Sequence, residues 1–283
     1  MKNIVVVGIG LIGGSMVKDL KKAHPETKII GVDKNKDHLN EALVRGLIDE
    51  KGNIDVVKNA DLVILSIPVD ASVNLLPEIL DLVQDDALVI DVGSTKLDIC
   101  NAVEHHKNRR NYLACHPIAG TEFSGPQAAI FDLFRQKTNI ICEVEKTAFK
   151  LQERALKVFS DLGMRIRYMN PESHDKHIAY VSHLSHISSF MLGKTVIDKE
   201  RNERDIFDMA GSGFASTVRL AKSSPNMWTP IFKQNKTNVI ETLEEYINNL
   251  NQFKILLEQD DFEAIFNEMK NTNRIKDILK GIA

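Results

Sequence analysis

The chain has 283 residues, of which 43% are hydrophobic and 27% are charged, the composition of an ordinary globular protein long enough to form two cores. Its formal net charge of −3 is too small to favour a nucleic acid or a membrane surface as a partner. Three cysteines without a CxxC pair argue against a disulfide framework or a zinc site, and they are typical of a reducing cytosol.

The amino-terminal stretch MKNIVVVGIGLIGGSMV places one lysine before an apolar run, as a secretion signal does. Glycines interrupt this run and no A-x-A cleavage pattern follows it. No apolar stretch of the chain approaches the roughly 20 residues that span a bilayer. We therefore expect a cytoplasmic protein.

Up to about residue 170, short β-branched runs alternate with stretches of helical spacing. The predicted strands are 3–7, 28–32, 61–67, 87–92, 111–115, 138–144 and 164–169. The predicted helices are 12–22, 36–45, 70–83, 95–107 and 146–162. The first four strands are apolar without strict alternation, which is typical of strands buried on both faces, so this region predicts βαβ units in a parallel sheet.

From Pro171 onward the strand signals stop. The stretch 171–197 predicts one long helix, with Pro171 suited to its first turn. A later helix has apolar residues at steps of three and four: Leu243, Tyr246, Leu250, Phe253 and Leu257. We therefore expect two domains, 1–170 and 171–283. The apolar seam belongs either to an intrachain core or to the contact between two subunits, and we favour a homodimer.

The segment VVVGIGLIGGS has the pattern G-x-G-x-x-G at Gly8, Gly10 and Gly13, directly after a strand and at the start of a helix. In this context the pattern predicts a pyrophosphate bound to the free N–H groups of the helix start. Asp33 ends the next strand twenty residues after Gly13, where a carboxylate binds the ribose 2′-OH and repels a 2′-phosphate, so NAD is favoured over NADP. The predicted cofactor-binding residues are Gly8, Gly10, Leu11, Ile12, Gly13, Asp33, Ser66 and Pro68.

Two later strands end at the same sheet edge. Ser66 and Pro68 follow the strand at 61–67, although Pro68 is as readily explained as the residue that stops this strand. Gly93 and Ser94 follow the strand at 87–92, where a nicotinamide ring would lie. Ser94 either contacts a ligand or caps a helix that starts near Thr95, and the two roles are compatible.

A histidine stands in the stretch YLACHPIAGTEFSGP, where the next strand ends. Pro117 restricts His116 to extended backbone angles and fixes where its ring points. An imidazole accepts a proton near neutral pH, which is what an alcohol must lose as it gives up a hydride. His116 is therefore a candidate general base, and a hydrogen-bonded surface histidine is the alternative.

The motifs GIGLIGGS, DVGSTK, HPIAGTEFSGP, SHLSH and GSGFASTVRLAKSSPNMW, in this order, resemble those of the prephenate dehydrogenases. The segment H-P-[IM]-A-G-x-E followed by S-H-L-x-H is much more specific than the glycine-rich loop. The resemblance implies an α/β Rossmann-type doubly wound parallel sheet domain followed by an all-α helical dimerisation domain. It also implies NAD-dependent oxidative decarboxylation of prephenate to 4-hydroxyphenylpyruvate in tyrosine biosynthesis.

The resemblance also implies roles for individual residues. His116 matches the base that takes the proton of the substrate's ring hydroxyl as hydride leaves C4, and Ser94 matches a serine that contacts the same hydroxyl. Arg219 matches the arginine that holds a carboxylate of the dianionic substrate, as a guanidinium does well. Without the resemblance, Arg219 would be interpreted as part of a surface ion pair.

The substrate pocket is implied in the same way. His186 and Ser182, both in SHLSH, match pocket residues, and Glu122 and Trp228 match residues at the pocket entrance, with either subunit open as the source of Trp228. One departure is Ser216, where many family members carry an acid that pairs with the arginine. Its absence predicts that Arg219 is freer than in those relatives.

Three rival functions remain. Arogenate dehydrogenase shares the fold and the reaction. A β-hydroxyacid-type dehydrogenase would use a lysine base on the long helix, where Lys176 is the only lysine near the right position. A nucleotide-sensing protein without catalysis would need no proton acceptor. The pairs His174/His177 and His183/His186 have i,i+3 spacing compatible with metal, but no carboxylate or cysteine joins them at a familiar zinc spacing, so we expect no metal.

Overall fold

The computed structural model describes residues 1–201 and 203–280. It divides into two compact units, Met1–Lys236 and Thr237–Ala283. The first unit contains the sheet and all the candidate site residues. Every helix in the described residues is too short or too polar to cross a lipid bilayer.

Eight strands of the described chain form one sheet with the order β3-β2-β1-β4-β5-β6-β7-β8. The strands are β1 (Asn3–Val7), β2 (Lys28–Val32), β3 (Glu50–Lys51), β4 (Leu62–Leu65), β5 (Leu88–Asp91), β6 (Tyr112–Pro117), β7 (Thr138–Cys142) and β8 (Arg165–Met169). Neighbouring strands are parallel except for β6 and β7, which are antiparallel.

Helices connect and follow these strands. In the first unit they are α1 (Leu11–Ala23), α2 (Lys36–Val44), α3 (Val69–Leu82), α4 (Leu97–Ala102), α5 (Phe149–Asp161), α6 (Pro171–Ile178), α7 (Leu184–Glu200), α8 (Ser212–Thr217) and α9 (Pro225–Gln234). Helix α10 (Lys236–Glu258) begins at the last residue of the first unit, and α11 (Phe262–Thr272) and α12 (Ile275–Lys280) lie in the second.

The sheet has a hydrophobic core on each face. In β1, the side chains of Ile4 and Val6 join one core and those of Val5 and Val7 join the other, as the alternation of side chains along a strand requires. Helices α1 and α5 cover the first face, and α3 and α4 cover the second. The strands at 3–7, 28–32, 61–67 and 87–92 contribute side chains to both cores, so their predicted burial on both faces is confirmed, and so is the doubly wound α/β fold. Strand β8 is largely exposed.

The strand order places a binding crevice at the carboxyl edge of the sheet. From β1 the chain runs outward through β2 and β3, and it then returns to β4 on the other side of β1. Ligands of doubly wound folds bind where the order reverses in this way. Because β1, β4, β5 and β6 are mutually parallel, their carboxyl ends lie along one edge.

The structure differs from the predicted elements in the number of strands, in the direction of one strand and in the continuity of the long helix. The two-residue strand β3 is too short to leave a sequence pattern. The chain returns from β6 to β7 without a crossover helix, so this pair is antiparallel where a purely parallel sheet is predicted. The predicted helix 171–197 is present from Pro171 to Glu200, but a π-helical turn at Ala179–His183 interrupts it. The predicted boundary near residue 170 remains a prediction.

Candidate active site

The glycine loop after β1 leaves room for a phosphate. Gly8 has φ +92°, and a Cβ at this position would lie 2.2 Å from the carbonyl oxygen of Ser66. A Cβ at Gly13 would lie 2.3 Å from the carbonyl oxygen of Gly8. Both glycines are therefore required by the fold, whereas a Cβ at Gly10 would meet no protein atom within 4 Å. Gly10 borders open space where a ligand backbone can approach.

The start of α1 faces this opening. Gly10 is the N-cap residue, its position supplies no side-chain cap, and the first turn has no acidic residue. The first amides of a helix have no intrahelical acceptor, and the helix dipole favours an anion beside them. The amides of Leu11 and Ile12 lie in this turn. A pyrophosphate therefore fits the residues present.

Asp33 lies beside the same loop. One oxygen of its carboxylate accepts a hydrogen bond from the Ile9 amide at 3.0 Å, and the other accepts one from the Asn35 amide at 2.8 Å. These contacts fix the carboxylate at the carboxyl end of β2, where the predicted ribose contact needs it. The imidazole of His38 lies close by, with its Nδ1 3.6 Å from Oδ2 of Asp33.

Ser66 and Pro68 lie after β4, at the edge where β1 also ends. The Ser66 amide donates to the Val7 carbonyl at 2.7 Å, which draws the strand ends together. Pro68 precedes the first residue of α3 and lies three residues beyond the end of β4, so it starts the helix and does not stop the strand. Ser66 borders the glycine loop, since Cβ atoms built at Gly8 and Gly13 would meet its atoms. The contact of Pro68 with the cofactor stays a prediction.

Ser94 follows β5 but does not cap a helix. Helix α4 begins at Leu97, two residues later than predicted, and no side chain at its N-cap position accepts from its amides. The Asp175 carboxylate from α6 performs this task, accepting from the amides of Lys96 at 2.8 Å and Leu97 at 2.9 Å. The prediction that Ser94 caps this helix is therefore wrong. Ser94 is half-buried and lies at the sheet edge.

His116 lies at the end of β6, next to β5 in the parallel register Asp91 to Ala114. It is 9% exposed, so it is not the surface histidine of the alternative interpretation. Its Nδ1 is 2.8 Å from Nε2 of His174, whose Nδ1 is 2.7 Å from Oδ1 of Asp175. His116 thus ends a chain of three buried polar side chains.

A fully buried ion pair supports this edge. Lys96 and Asp91 pair with each other at 0% side-chain exposure. Asp91 also accepts from the Tyr112 hydroxyl at 2.7 Å and from the Cys115 amide at 3.2 Å. A buried charge is tolerated only when it is paired and hydrogen-bonded, as it is here. The hydrogen bonds of Asp91 join the end of β5 to β6 at the residue that precedes His116.

The π turn brings a second histidine group to the same side. The indole of Trp228 stacks on His186 with ring centroids 3.5 Å apart, and it meets His183 edge-on at 5.8 Å. His186 Nδ1 donates to the Ser182 carbonyl at 3.0 Å, so Ser182 contributes its backbone oxygen. Trp228 is 6% exposed and is buried by its own chain.

Asn235 joins the two histidine groups. Its amide donates to the Asp175 carbonyl at 2.6 Å and lies 3.2 Å from Nδ1 of His183. Contacts therefore run from His116 through His174, Asp175 and Asn235 to the aromatic cluster around Trp228.

Arg219 follows α8. Its Nη1 is 3.0 Å from Oε2 of Glu122, a residue of the loop after β6, so Arg219 has an acidic partner in this chain. The expectation that Arg219 is freer than in relatives with an acid at the position of Ser216 stays a prediction. The guanidinium remains half exposed, and its charge acts on His186.

The four histidines of the site are held neutral. Burial lowers the pKa of His116 well below its usual 6.5, and the neighbouring His174 and Lys96 act in the same direction. Burial also lowers the pKa of His174, against the opposing effect of its hydrogen bond to Asp175. Burial lowers the pKa of His183 to about 4, and burial together with Arg219 lowers that of His186. A neutral imidazole is the form that accepts a proton.

The helix that begins at Pro171 also carries the histidines weighed as metal ligands and the lysine weighed as a base. Across residues 1–201 and 203–280, no three His, Cys, Asp or Glu side chains are arranged to hold a metal ion. His174 and His183 make the hydrogen bonds described above, and their i,i+3 neighbour His177 is exposed. Lys176 is exposed as well.

The sequence interpretation missed three residues of the site, His174, Asp175 and Asn235. The spacing indicates His174 only as half of a possible metal pair, and it does not single out the other two. The sequence neighbours of the first two are Ser173 and Lys176, which are polar, so the local pattern does not indicate that His174 and Asp175 are buried. The histidine partner of His174 lies 58 residues away in the sequence and cannot be found by spacing.

Comparison with known proteins identifies the family. Residues 16–168 match the model of the family described as prephenate dehydrogenase, nucleotide-binding domain, and residues 170–271 match that of the prephenate dehydrogenase dimerization domain. The prephenate dehydrogenase of Bacillus subtilis is 31% identical over 97% of this chain and 75% of its own length.

Solved structures give the same result. The crystal structure of prephenate dehydrogenase from Aquifex aeolicus, in complex with hydroxyphenyl propionate and NAD⁺, superposes with a TM-score of 0.87 and 35% identity over 98% of each chain. Synechocystis arogenate dehydrogenase has a TM-score of 0.78 and 26% identity, covering 97% of this chain and 99% of its own. The chain therefore belongs to the prephenate dehydrogenase family.

Proposed function

We propose that this protein catalyses the NAD-dependent oxidative decarboxylation of prephenate to 4-hydroxyphenylpyruvate, with His116 as the general base. The observation that carries the proposal is a buried, neutral imidazole at the edge of the sheet where the glycine loop and Ser94 also lie. The names of the Bacillus subtilis and Aquifex aeolicus relatives, together with the NAD⁺ in the latter structure, support the substrate and the cofactor.

The cofactor binds across the glycine loop in this proposal. The amides of Leu11, Ile12 and Gly13 bind the pyrophosphate, and Asp33 accepts hydrogen bonds from the ribose. A carboxylate at that position repels a 2′-phosphate, which favours NAD over NADP. Ser66 and Pro68 border the dinucleotide at the end of β4. Bound NAD⁺ supplies the hydride acceptor.

The side chains then do the proton chemistry. Ser94 orients the 4-hydroxyl of prephenate, and His116 takes its proton, which raises the electron density at C4 as the hydride departs. The ring carboxylate leaves as CO₂ and the ring becomes aromatic. His116 returns its proton to the phenolate oxygen, so that the base is restored after each turnover. Aromatisation makes the reaction effectively irreversible.

Arg219 anchors the substrate through a charge-assisted, bidentate contact with one carboxylate. Its ion pair with Glu122 at 3.0 Å holds the guanidinium at the pocket entrance before substrate arrives. His186, steadied by Trp228 and by the carbonyl of Ser182, contacts the pyruvyl side chain. A half-exposed arginine remains accessible to a dianion from solution.

The rival enzymatic hypotheses differ in what they need from the site. A lysine base on the long helix is disfavoured because Lys176 is exposed, whereas the buried residues beside it connect to His116. Arogenate is the second candidate substrate. It is supported by the name of the Synechocystis relative and by the Glu122 carboxylate, which is able to accept from an ammonium group.

We also propose that the protein acts as a homodimer. The family model that matches residues 170–271 is described as a dimerization domain. In α10 the apolar seam leaves Leu250 52%, Phe253 39% and Leu257 48% exposed, which is costly in water unless a second chain covers it. Size-exclusion chromatography with light scattering tests this directly: a monomer at micromolar concentration would contradict it.

The function is tested by following NADH formation with prephenate or arogenate as substrate and NAD or NADP as cofactor. We expect the highest kcat/KM for prephenate with NAD, and release of one CO₂ per NADH. A higher kcat/KM for arogenate than for prephenate would identify arogenate as the preferred substrate. The absence of NADH formation with both compounds would overturn the proposal. The exposed Lys176→Gln variant is the control, because a lysine base would lose its activity there and a histidine base would not.

A further inference from the structure

The base of the proposed reaction is one end of a buried chain of hydrogen bonds. His116 Nδ1 contacts His174 Nε2 at 2.8 Å, and His174 Nδ1 contacts Asp175 Oδ1 at 2.7 Å. The exposed fractions are 9% for His116, 1% for His174 and 3% for Asp175, so water does not compete for these contacts. Each of these contacts needs one donor and one acceptor, so the tautomers of the two imidazoles depend on each other.

The protons can be assigned from the acceptor end. The Asp175 carboxylate accepts hydrogen bonds from the backbone amides of Lys96 and Leu97 and contacts Nδ1 of His174. An ionised carboxylate only accepts hydrogen bonds. The proton of neutral His174 is therefore on Nδ1, and its Nε2 carries a lone pair. Nδ1 of His116 must then be the donor, which leaves the lone pair of His116 on Nε2.

The opposite assignment would require a charge. If Nδ1 of His116 were the acceptor, His174 would have to donate from both nitrogens and become an imidazolium. Burial lowers the pKa of His174 and the charge of Lys96 acts in the same direction, while the hydrogen bond to Asp175 and the charges of Asp175 and Asp91 only partly oppose them. The neutral assignment is consequently the favoured one.

The other ring nitrogen of His116 is the one that the reaction needs. No residue in the described part of the chain forms a hydrogen bond with Nε2 of His116. A base acts through an unshared lone pair directed at the proton it removes. With Nδ1 occupied by His174, Nε2 is the nitrogen available to a substrate hydroxyl.

We propose that His174 and Asp175 are positioning residues, which hold His116 in the tautomer that has its proton on Nδ1 and its lone pair on Nε2. The proposal rests on the function proposed above for His116. The same arrangement stabilises the imidazolium that forms when His116 takes the proton, because His174 accepts from Nδ1–H in both states. Loss of the partner that fixes a catalytic histidine's tautomer costs about 10⁴ in kcat in serine proteases.

Asp175 is a poor residue on which to test this. Its carboxylate also holds the first amides of α4, so a substitution there disturbs the segment that carries Ser94. Within the described residues, the side chain of His174 forms hydrogen bonds only with His116 and Asp175. The informative pair is His174→Phe, which fills the space without an acceptor, and His174→Gln, whose carboxamide oxygen is able to accept from Nδ1–H.

The kinetic test measures kcat and KM for prephenate. We expect His174→Phe to lose about 10²–10⁴ in kcat with KM changed by less than about threefold, the split typical of a lost transition-state interaction. We expect His174→Gln to recover at least about tenfold of this loss. The control is His177→Gln, an exposed position on the same helix, which should equal the wild type. A His174→Phe variant with wild-type kcat, or equal losses in both His174 variants, would overturn the proposal.

A spectroscopic test does not depend on turnover. In the ¹⁵N-histidine-labelled protein, the ring nitrogens of His116, assigned by comparison with His116→Asn, should show a proton on Nδ1. A proton on Nε2 in the wild type would overturn the tautomer assignment even if the enzyme is active. If the wild type does not oxidise prephenate, the proposed function fails while this measurement still decides the hydrogen-bond chain. It also remains decisive if His174→Phe does not fold.

Discussion

Replacing Gly10 by alanine separates the folding role of the glycine loop from its binding role. Gly10 has φ −92° and ψ −159°, which alanine adopts without strain, and its added methyl would meet no protein atom within 4 Å. Reduced freedom of the unfolded chain stabilises by about 0.4–1 kcal/mol, and loss of glycine at an N-cap costs about as much. The free energy of unfolding of the apoprotein should therefore change by less than about 1 kcal/mol.

The same methyl should weaken cofactor binding, because it occupies the space where the pyrophosphate approaches the backbone. We expect the Kd for NAD to rise at least tenfold, which corresponds to about 1.4 kcal/mol. Urea denaturation measures the first quantity and isothermal titration calorimetry measures the second. Wild-type affinity for NAD in Gly10→Ala would refute the assignment of this loop as the phosphate site.

Gly8→Ala is the matched comparison. The residue has φ +92°, and its Cβ would lie 2.2 Å from a backbone oxygen that cannot move away cheaply. The unfavourable backbone conformation alone costs about 1–2 kcal/mol, so this variant should be destabilised in the absence of any ligand. Equal stability of the two variants would contradict the structural distinction between Gly8 and Gly10.

Arg219→Lys should raise KM for prephenate by about 10–100-fold with little change in kcat, as expected for the loss of a charged hydrogen bond worth about 1.5–3 kcal/mol; an unchanged KM in steady-state assays would refute the anchoring role. Glu122→Gln should change KM for prephenate by less than about threefold, because the carboxamide oxygen is still able to accept from Arg219, and a KM as high as that of Arg219→Lys would contradict this. Asp33→Asn should lower kcat/KM for NAD and raise it for NADP, and a constant ratio of the two would exclude Asp33 from ribose recognition. The pKa of His183 is about 4 in the folded protein and near 6.5 in the unfolded chain, so between these pH values the unfolded chain binds the proton more readily. The free energy of unfolding should therefore fall by about 3 kcal/mol as the pH drops from 7 to 4. Denaturation curves of His183→Phe at several pH values should lack this part of the pH dependence.

The sequence predicts the sheet well because the signal is local. Each run such as 3–7 or 28–32 is largely apolar, and burial on both faces of a parallel sheet explains that pattern. The two-residue strand β3 and the antiparallel direction of β7 escape prediction, because a short strand carries little pattern and pairing direction depends on the connection and not on the strand itself.

The sequence predicts only those site residues that lie where a strand of the sheet ends. Gly8, Asp33 and His116 each lie where a strand ends, so the alternation of strand and helix is by itself enough to place them at one edge. The partner of Arg219 is not local, since Glu122 lies 97 residues away in the sequence. The π turn at Ala179–His183 likewise leaves no signal in the spacing.

The helix cap shows how local reasoning is overridden. Serine is a favoured N-cap residue, and Ser94 stands close to a helix start. A carboxylate from a distant helix accepts from the amides of Lys96 and Leu97 in its place, because an ionised group makes the stronger hydrogen bond. Ser94 is thereby left at the sheet edge that also carries His116.

The proposed function depends on removal of a proton from the substrate by His116, and the variant His116→Asn measures this step. Asparagine is able to preserve a hydrogen bond to His174 but cannot accept a proton near neutral pH. With prephenate and saturating NAD, we expect kcat to fall by about 10²–10⁴ while KM changes by less than about threefold. A variant that forms NADH at the wild-type kcat would contradict the account.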